Sequence, residues 1–183
     1  IPFYKAQNLA MISPSAVRAS ITNPAEGAIG FPVFHRIPSL ENVEGPSLFK
    51  IATEGVSTPK VVIIDDSSSY GVALSQSIRS FDNFKNIVVL ISISTPAGVI
   101  MDFSSAVDTV KKYSGNVVIY TGYAPQAATL YTQLRNSGYK GILAGGEGVN
   151  NSSIFDYATS SVLEGVRLSA GTVPLSEINS DLE

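Results

Sequence analysis

The sequence predicts an α/β protein: a three-layer lobe on a mainly parallel β-sheet, preceded by a shorter segment too small to close a core. Two observations carry this reading. From residue 60 to residue 170, short runs rich in Val and Ile alternate with longer segments of helical period, the signature of consecutive βα units. The first three of those runs are also almost continuously apolar, as strands covered by helices on both faces are.

The expected strands are 60–65 (KVVIID), 86–93 (NIVVLISI), 116–121 (NVVIYT), 141–145 (GILAG) and 165–170 (GVRLSA). Segments 71–80, 102–112 and 124–137 between them read as amphipathic helices. Asp102 stands where a carboxylate can accept from the free N–H groups of a first helical turn, and Gly138 where a left-handed residue closes a last one. The connections are a few residues long, so this stretch reads as one domain. Ahead of it, 9–13 (LAMIS) and 31–37 (FPVFHRI) read as strands, and a helix is expected over 42–54, stopped by Gly55. Two strands and a helix do not make an independent core. The expected organisation is therefore 1–55 as a partial first segment, 56–173 as the lobe and 174–183 as a polar tail.

Composition narrows the function classes. The chain has 183 residues, 44% of them apolar, which fits a folded domain. With 12 basic and 15 acidic residues the net charge is −3, and no Lys/Arg stripe exists for a phosphate backbone, so nucleic acid is not an expected partner. The absence of cysteine removes disulfides, thiolate chemistry and cysteine-ligated zinc. No apolar run approaches the roughly 20 residues of a membrane helix. The single histidine, His35, lies in an expected strand, and no G-x-S-x-G elbow presents a serine. No enzyme activity, cofactor or metal is therefore expected. Gly146-Glu147-Gly148 imitates the start of a dinucleotide fingerprint but lacks its third glycine. A receiver domain shares the strand-Asp65-Asp66 start, yet the third expected strand of the lobe ends in Tyr120-Thr121 rather than in an acceptor aspartate.

In an open parallel sheet, ligands bind beyond the carboxyl ends of strands, where loops and helix N-termini converge. That rule selects Ser13, Ser15, Asp65, Asp66, Tyr70, Tyr123 and Glu147. Aromatic walls, an acid and hydroxyls at one rim suit a small zwitterion. Plainer roles compete: the tyrosines as packing residues at helix starts, Glu147 as a solvated loop acid, and the paired aspartates as turn and cap residues.

Several short motifs stand in order along the chain: Met11-Ile12-Ser13-Pro14-Ser15-Ala16, Ile64-Asp65-Asp66 through Tyr70-Gly71, Asp102-Phe103-Ser104, Tyr120-Thr121-Gly122-Tyr123-Ala124-Pro125, Gln133-Leu134-Arg135 through Gly138, and Gly146-Glu147-Gly148. No one of them is specific. Their order and spacing together resemble the substrate-binding proteins of branched-chain amino-acid ABC transporters, in the type I periplasmic-binding-protein family.

The resemblance implies two α/β lobes hinged around one ligand, with this chain beginning late in the first lobe, crossing near 36–48 and supplying most of the second. It implies an amino acid, branched-chain or similar, as the ligand, a membrane permease as the partner and an extracytoplasmic location. It further implies that Tyr70 and Tyr123 contact the ligand, that Glu147 binds its ammonium, and that backbone groups around Ser15 and Ala16 hold its other end. Val17 stands where the family commonly has a carboxylate-binding Thr, and Ala124 where a second Tyr often follows Tyr123. The same fold serves in sensor ectodomains, and an isolated lobe can be an assembly subunit, so these alternatives remain open. An unpaired apolar strand in the first segment would also offer an edge for self-association.

Overall fold

Two runs of buried β-branched residues, 61–64 and 117–119, organise the larger part of the protein. In the computed structural model, which describes residues 1–94 and 101–171, the chain forms two compact units, one containing Ile1–Val43 and the other Glu44–Ala170. The expected tail at 174–183 lies outside the described residues.

The first unit opens with a short helix, α1 (Pro2–Ala6), none of whose residues is buried. Strands β1 (Met11–Ser13) and β2 (Phe34–Arg36) pair in parallel, Met11 opposite Phe34 and Ser13 opposite Arg36. Both are shorter than their apolar runs. The chain turns ahead of β1, where Leu9 N donates to Tyr4 O, and ahead of β2, where Phe34 N donates to Gly30 O at 2.7 Å. Arg36 then fastens the intervening loop: Nη1 donates to Ala16 O and Arg18 O, and Nη2 to Thr22 Oγ1. Helix α2 (Glu41–Thr53) starts here, Glu41 N donating to Val17 O and the Glu41 carboxylate accepting from Ala19 N.

The second unit holds a five-stranded, wholly parallel sheet in the order β4-β3-β5-β6-β7: β3 (Val61–Asp65), β4 (Ile87–Ser92), β5 (Val117–Thr121), β6 (Ile142–Gly145) and β7 (Arg167–Leu168). Every residue of β3 and β5 is buried. Their alternate side chains feed two cores. Val62, Ile64, Val118 and Tyr120 face α4 (Ser104–Lys112) and α5 (Ala124–Asn136). Val61, Ile63, Val117 and Ile119 face α3 (Ser69–Asp82) and Leu48, Phe49 and Ala52 of α2. This is the three-layer arrangement that the periodicity predicts.

Two expectations need correction. The run at 86–93 looks as buried as its neighbours, but β4 lies at the sheet edge and is only partly covered. Asp102 is not the cap of α4: Phe103 takes that position, and Asp102 reaches from one residue earlier to accept from the Ser104 N–H and hydroxyl. Those two donors hold its carboxyl below the usual range. Gly138 adopts the left-handed conformation, φ 85°, as expected after α5.

Candidate functional site

The strand order dictates where a rim forms. From β3 the chain crosses through α3 to β4 on one side, and from β5 it crosses through α5 to β6 on the other. The connections after β3 and β5 diverge, so a crevice opens beyond their carboxyl ends.

Asp65 and Asp66 leave β3 into this region, yet both are occupied by the protein itself. Asp65 is buried, accepting from Ser67 N, Ser75 Oγ and Ser92 Oγ. Asp66 accepts from Ser68 N at 2.9 Å, and Ser68 Oγ caps α3 by accepting from Gly71 N. The aspartates thus build the turn, and α3 starts early enough to place Tyr70 in its first turn.

Tyr123 sits immediately before α5 in extended conformation and is 48% exposed. The Tyr70 and Tyr123 rings lie 5.6 Å apart between centroids, tilted by 40°, within the contact range of aromatic pairs. Beyond β6, Gly146, Glu147 and Gly148 form a turn closed by Val149 N and Asn150 N on Gly146 O. Gly148 joins this turn to both tyrosine-bearing segments: its N–H donates to the Tyr70 hydroxyl at 3.2 Å and its carbonyl accepts from Ala124 N at 3.1 Å. The second unit therefore brings Tyr70, Tyr123 and the Glu147 turn together.

The two glycines flanking Glu147 are required by close packing within the protein. A Cβ on Gly146 would lie 2.7 Å from Glu44 Oε1, Leu74 Cδ2 and the Tyr70 hydroxyl, and one on Gly148 would lie 2.5 Å from Gly122 O. The protein's own groups fill that space.

Glu44 and Ser169 are the residues that sequence reading misses. Glu44 is buried near the start of α2, and its Oε1 accepts from Glu147 N at 2.6 Å, Ser169 Oγ at 3.1 Å and the Tyr70 hydroxyl at 3.3 Å. The Glu147 carboxylate, half-buried, accepts no hydrogen bond among the described residues. Burial, and then the charge of Glu44, push its pKa up. Burial raises the Tyr70 hydroxyl far above its ordinary value, with Glu44 and Glu147 adding to the effect and the Gly148 N–H opposing it. Burial, then Asp66, raises Tyr123.

Ser15 and Ala16 belong to the first unit, where their N–H groups converge on Ser13 Oγ at 3.3 and 3.0 Å. Val17 is buried there and Ala124 is buried in the second unit, so both departures from the family pattern are packing residues. His35 is exposed on β2. Among the described residues no three His, Cys, Asp or Glu side chains gather as a metal site, and no helix is long and apolar enough to cross a membrane.

The chain is similar to the Leu/Ile/Val-binding protein of Citrobacter freundii, with 32% identity over 157 residues, 85% of this chain and 41% of the relative. It spans about two fifths of the length of the curated relatives it matches, 39–41%. Among solved structures, a branched-chain amino-acid transporter substrate-binding protein of Streptococcus pneumoniae in complex with isoleucine matches with a TM-score of 0.79, at 22% identity, over 97% of this chain and 48% of that one. A solute-binding protein from R. palustris in complex with benzoate matches at 0.75, with 17% identity, over 91% and 44%. No family model matches the chain.

Proposed function

We infer that this chain, which has the type I periplasmic-binding-protein fold and resembles the branched-chain amino-acid binding proteins, forms part of an extracytoplasmic solute-binding protein of an ABC importer. Its ligand is an amino acid, branched-chain or similar, delivered to a membrane permease. Its role is capture, not catalysis. The observation that carries this reading is the half-buried Glu147 carboxylate, which has no hydrogen-bond donor among the described residues and stands beside the Tyr70–Tyr123 pair at the strand-order switch. A partly desolvated carboxylate forms a strong, charge-assisted bond with an ammonium group, and the paired rings on the same rim offer apolar surface to the body of a ligand. Ser15 and Ala16 are proposed to hold the carboxylate end, on the resemblance alone. A ligand would there compete with Ser13 Oγ for their N–H groups.

The benzoate complex among the fold relatives defines the rival ligand class, a carboxylate without an amine. Thermal shift and calorimetry on the purified protein with leucine, isoleucine, valine and benzoate separate the two. Stabilisation by the amino acids alone supports the proposal. Stabilisation by benzoate alone would replace the amino acid with an amine-free solute.

A further inference from the structure

We propose that Glu44 is the positioning residue of this rim: its buried carboxylate holds the Gly146–Gly148 turn and the Tyr70 hydroxyl in register, so ligand affinity depends on a group that need not touch the ligand. The inference rests on Glu147 as the ammonium anchor and adds what places that anchor.

Three donors from three elements converge on one oxygen. The Glu147 N–H comes from the turn after β6, the Ser169 hydroxyl from just beyond β7 and the Tyr70 hydroxyl from α3. Tyr70 extends the network, because its hydroxyl oxygen accepts from Gly148 N. The N–H groups of two successive peptides, those of Glu147 and Gly148, are thereby fixed, one by Glu44 directly and one through Tyr70. The 2.6 Å separation to Glu147 N belongs to the short, charge-assisted class. Gly146 fits against Glu44 Oε1 and the Tyr70 hydroxyl with no space for a side chain, so the turn and the carboxylate are complementary in shape as well as in bonding.

The network also explains why a carboxylate stands there. The three donors to Glu44 Oε1 are all neutral, and burying a charge on neutral partners alone is costly. A hydroxyl or amide could accept the same bonds at lower cost. What the carboxylate adds is negative potential beside Glu147, which a ligand ammonium would feel.

Among the described residues, the other titratable groups facing this pair are Tyr70 from α3, Tyr123 at the start of α5 and, next to Tyr123, Asp66 after β3. Both tyrosines are pushed up and stay neutral through the acid range. Glu44 raises the Glu147 pKa, so removing its charge lets Glu147 remain ionised to lower pH.

The test compares Glu44→Ala and Glu44→Gln in the whole protein, with leucine as the probe and amide exchange of Glu147 and Gly148 as a readout independent of ligand. Glu44→Ala is expected to speed exchange at both amides and to weaken leucine binding about tenfold or more, the effect of losing more than about 1.4 kcal/mol. Glu44→Gln keeps an acceptor oxygen of the same reach. It is expected to recover much of the protection and affinity and to move the acid limit of binding to lower pH. Exchange and affinity unchanged in a cooperatively folded Glu44→Ala protein would overturn the proposal. If Glu44→Ala does not fold, Glu44→Asp, which keeps the charge and draws the acceptor back from the Glu147 N–H, overturns it equally when exchange at Glu147 and Gly148 is unchanged. A separate Glu147→Gln protein that still binds leucine normally would remove the anchor reading, while the exchange data on Glu44 would stand or fall by themselves.

Discussion

Two loops that follow parallel strands, one in each unit, fix their backbone N–H groups in contrasting ways. After β1, Ser13 accepts from the N–H groups of residues 15 and 16 with its own side chain, a local turn of the kind serine favours. After β6, the N–H groups of Glu147 and Gly148 are fixed by Glu44 and Tyr70, 103 and 78 residues away in sequence. In the first unit Glu41 accepts from Ala19 N, and in the second Glu44 accepts from Glu147 N. A loop held by its own side chain keeps its shape by itself, whereas one held from across the fold has a shape only when the fold is complete.

The strongest challenge to this contrast is Gly148→Ala. The added methyl meets Gly122 O at 2.5 Å and Tyr70 Cε1 at 2.9 Å, and overpacking of that kind costs about 1–3 kcal/mol. We expect a lower melting temperature together with weakened amino-acid binding. A fully stable variant would mean that the turn is free to move and is not held from outside. Ser13→Ala is the milder counterpart. It removes two local, partly exposed bonds and should cost about 0.5–1 kcal/mol, with faster amide exchange confined to Ser15 and Ala16. Exchange spreading beyond that turn would show that the first loop also depends on distant support.

The smallest effect is one of pH. The folded pKa of Glu147 is raised above its unfolded value, by burial first and Glu44 second. Its contribution to stability is therefore fully present below the ordinary carboxylate range and is lost as pH rises through the raised value. Ligand binding has the opposite sign, because an ammonium group needs Glu147 ionised. Acidification through that window should slightly stabilise the ligand-free protein and weaken leucine binding. Denaturant titrations with and without leucine across the acid range check both signs. Parallel trends would argue that another group controls the site.

The contrast between the loops also explains what was legible in the sequence. Apolar runs and helical periods placed β3, β5, α3 and α5 because burial on both faces leaves a local pattern. Edge position leaves none, so β4 reads like its neighbours. The predicted strand at 165–170 shrinks to Arg167–Leu168, where pairing with β6 extends over only two residues. The short helix α1 has no period to read. Within the site, strand ends pointed to Tyr70, Tyr123 and Glu147 because strand order alone brings such positions together. Glu44 was illegible, since its partners Tyr70, Glu147 and Ser169 lie 26, 103 and 125 residues away and an acid near a helix start ordinarily reads as solvated. The packing of the glycines beside Glu147 against Glu44, Tyr70 and Gly122 was illegible for the same reason.

Glu147 is the centre of the site: its carboxylate lacks a hydrogen-bond donor among the described residues, beside a turn whose Glu147 and Gly148 N–H groups are both engaged. Calorimetric titration of the wild-type and Glu147→Gln proteins with leucine and with its amine-free analogue 4-methylpentanoate tests this most directly. The substitution keeps the size of the side chain and removes its charge. Leucine is expected to lose more than about 1.4 kcal/mol, roughly tenfold in affinity, with little change for the analogue. Equal losses for both ligands, or unchanged leucine binding, would contradict it.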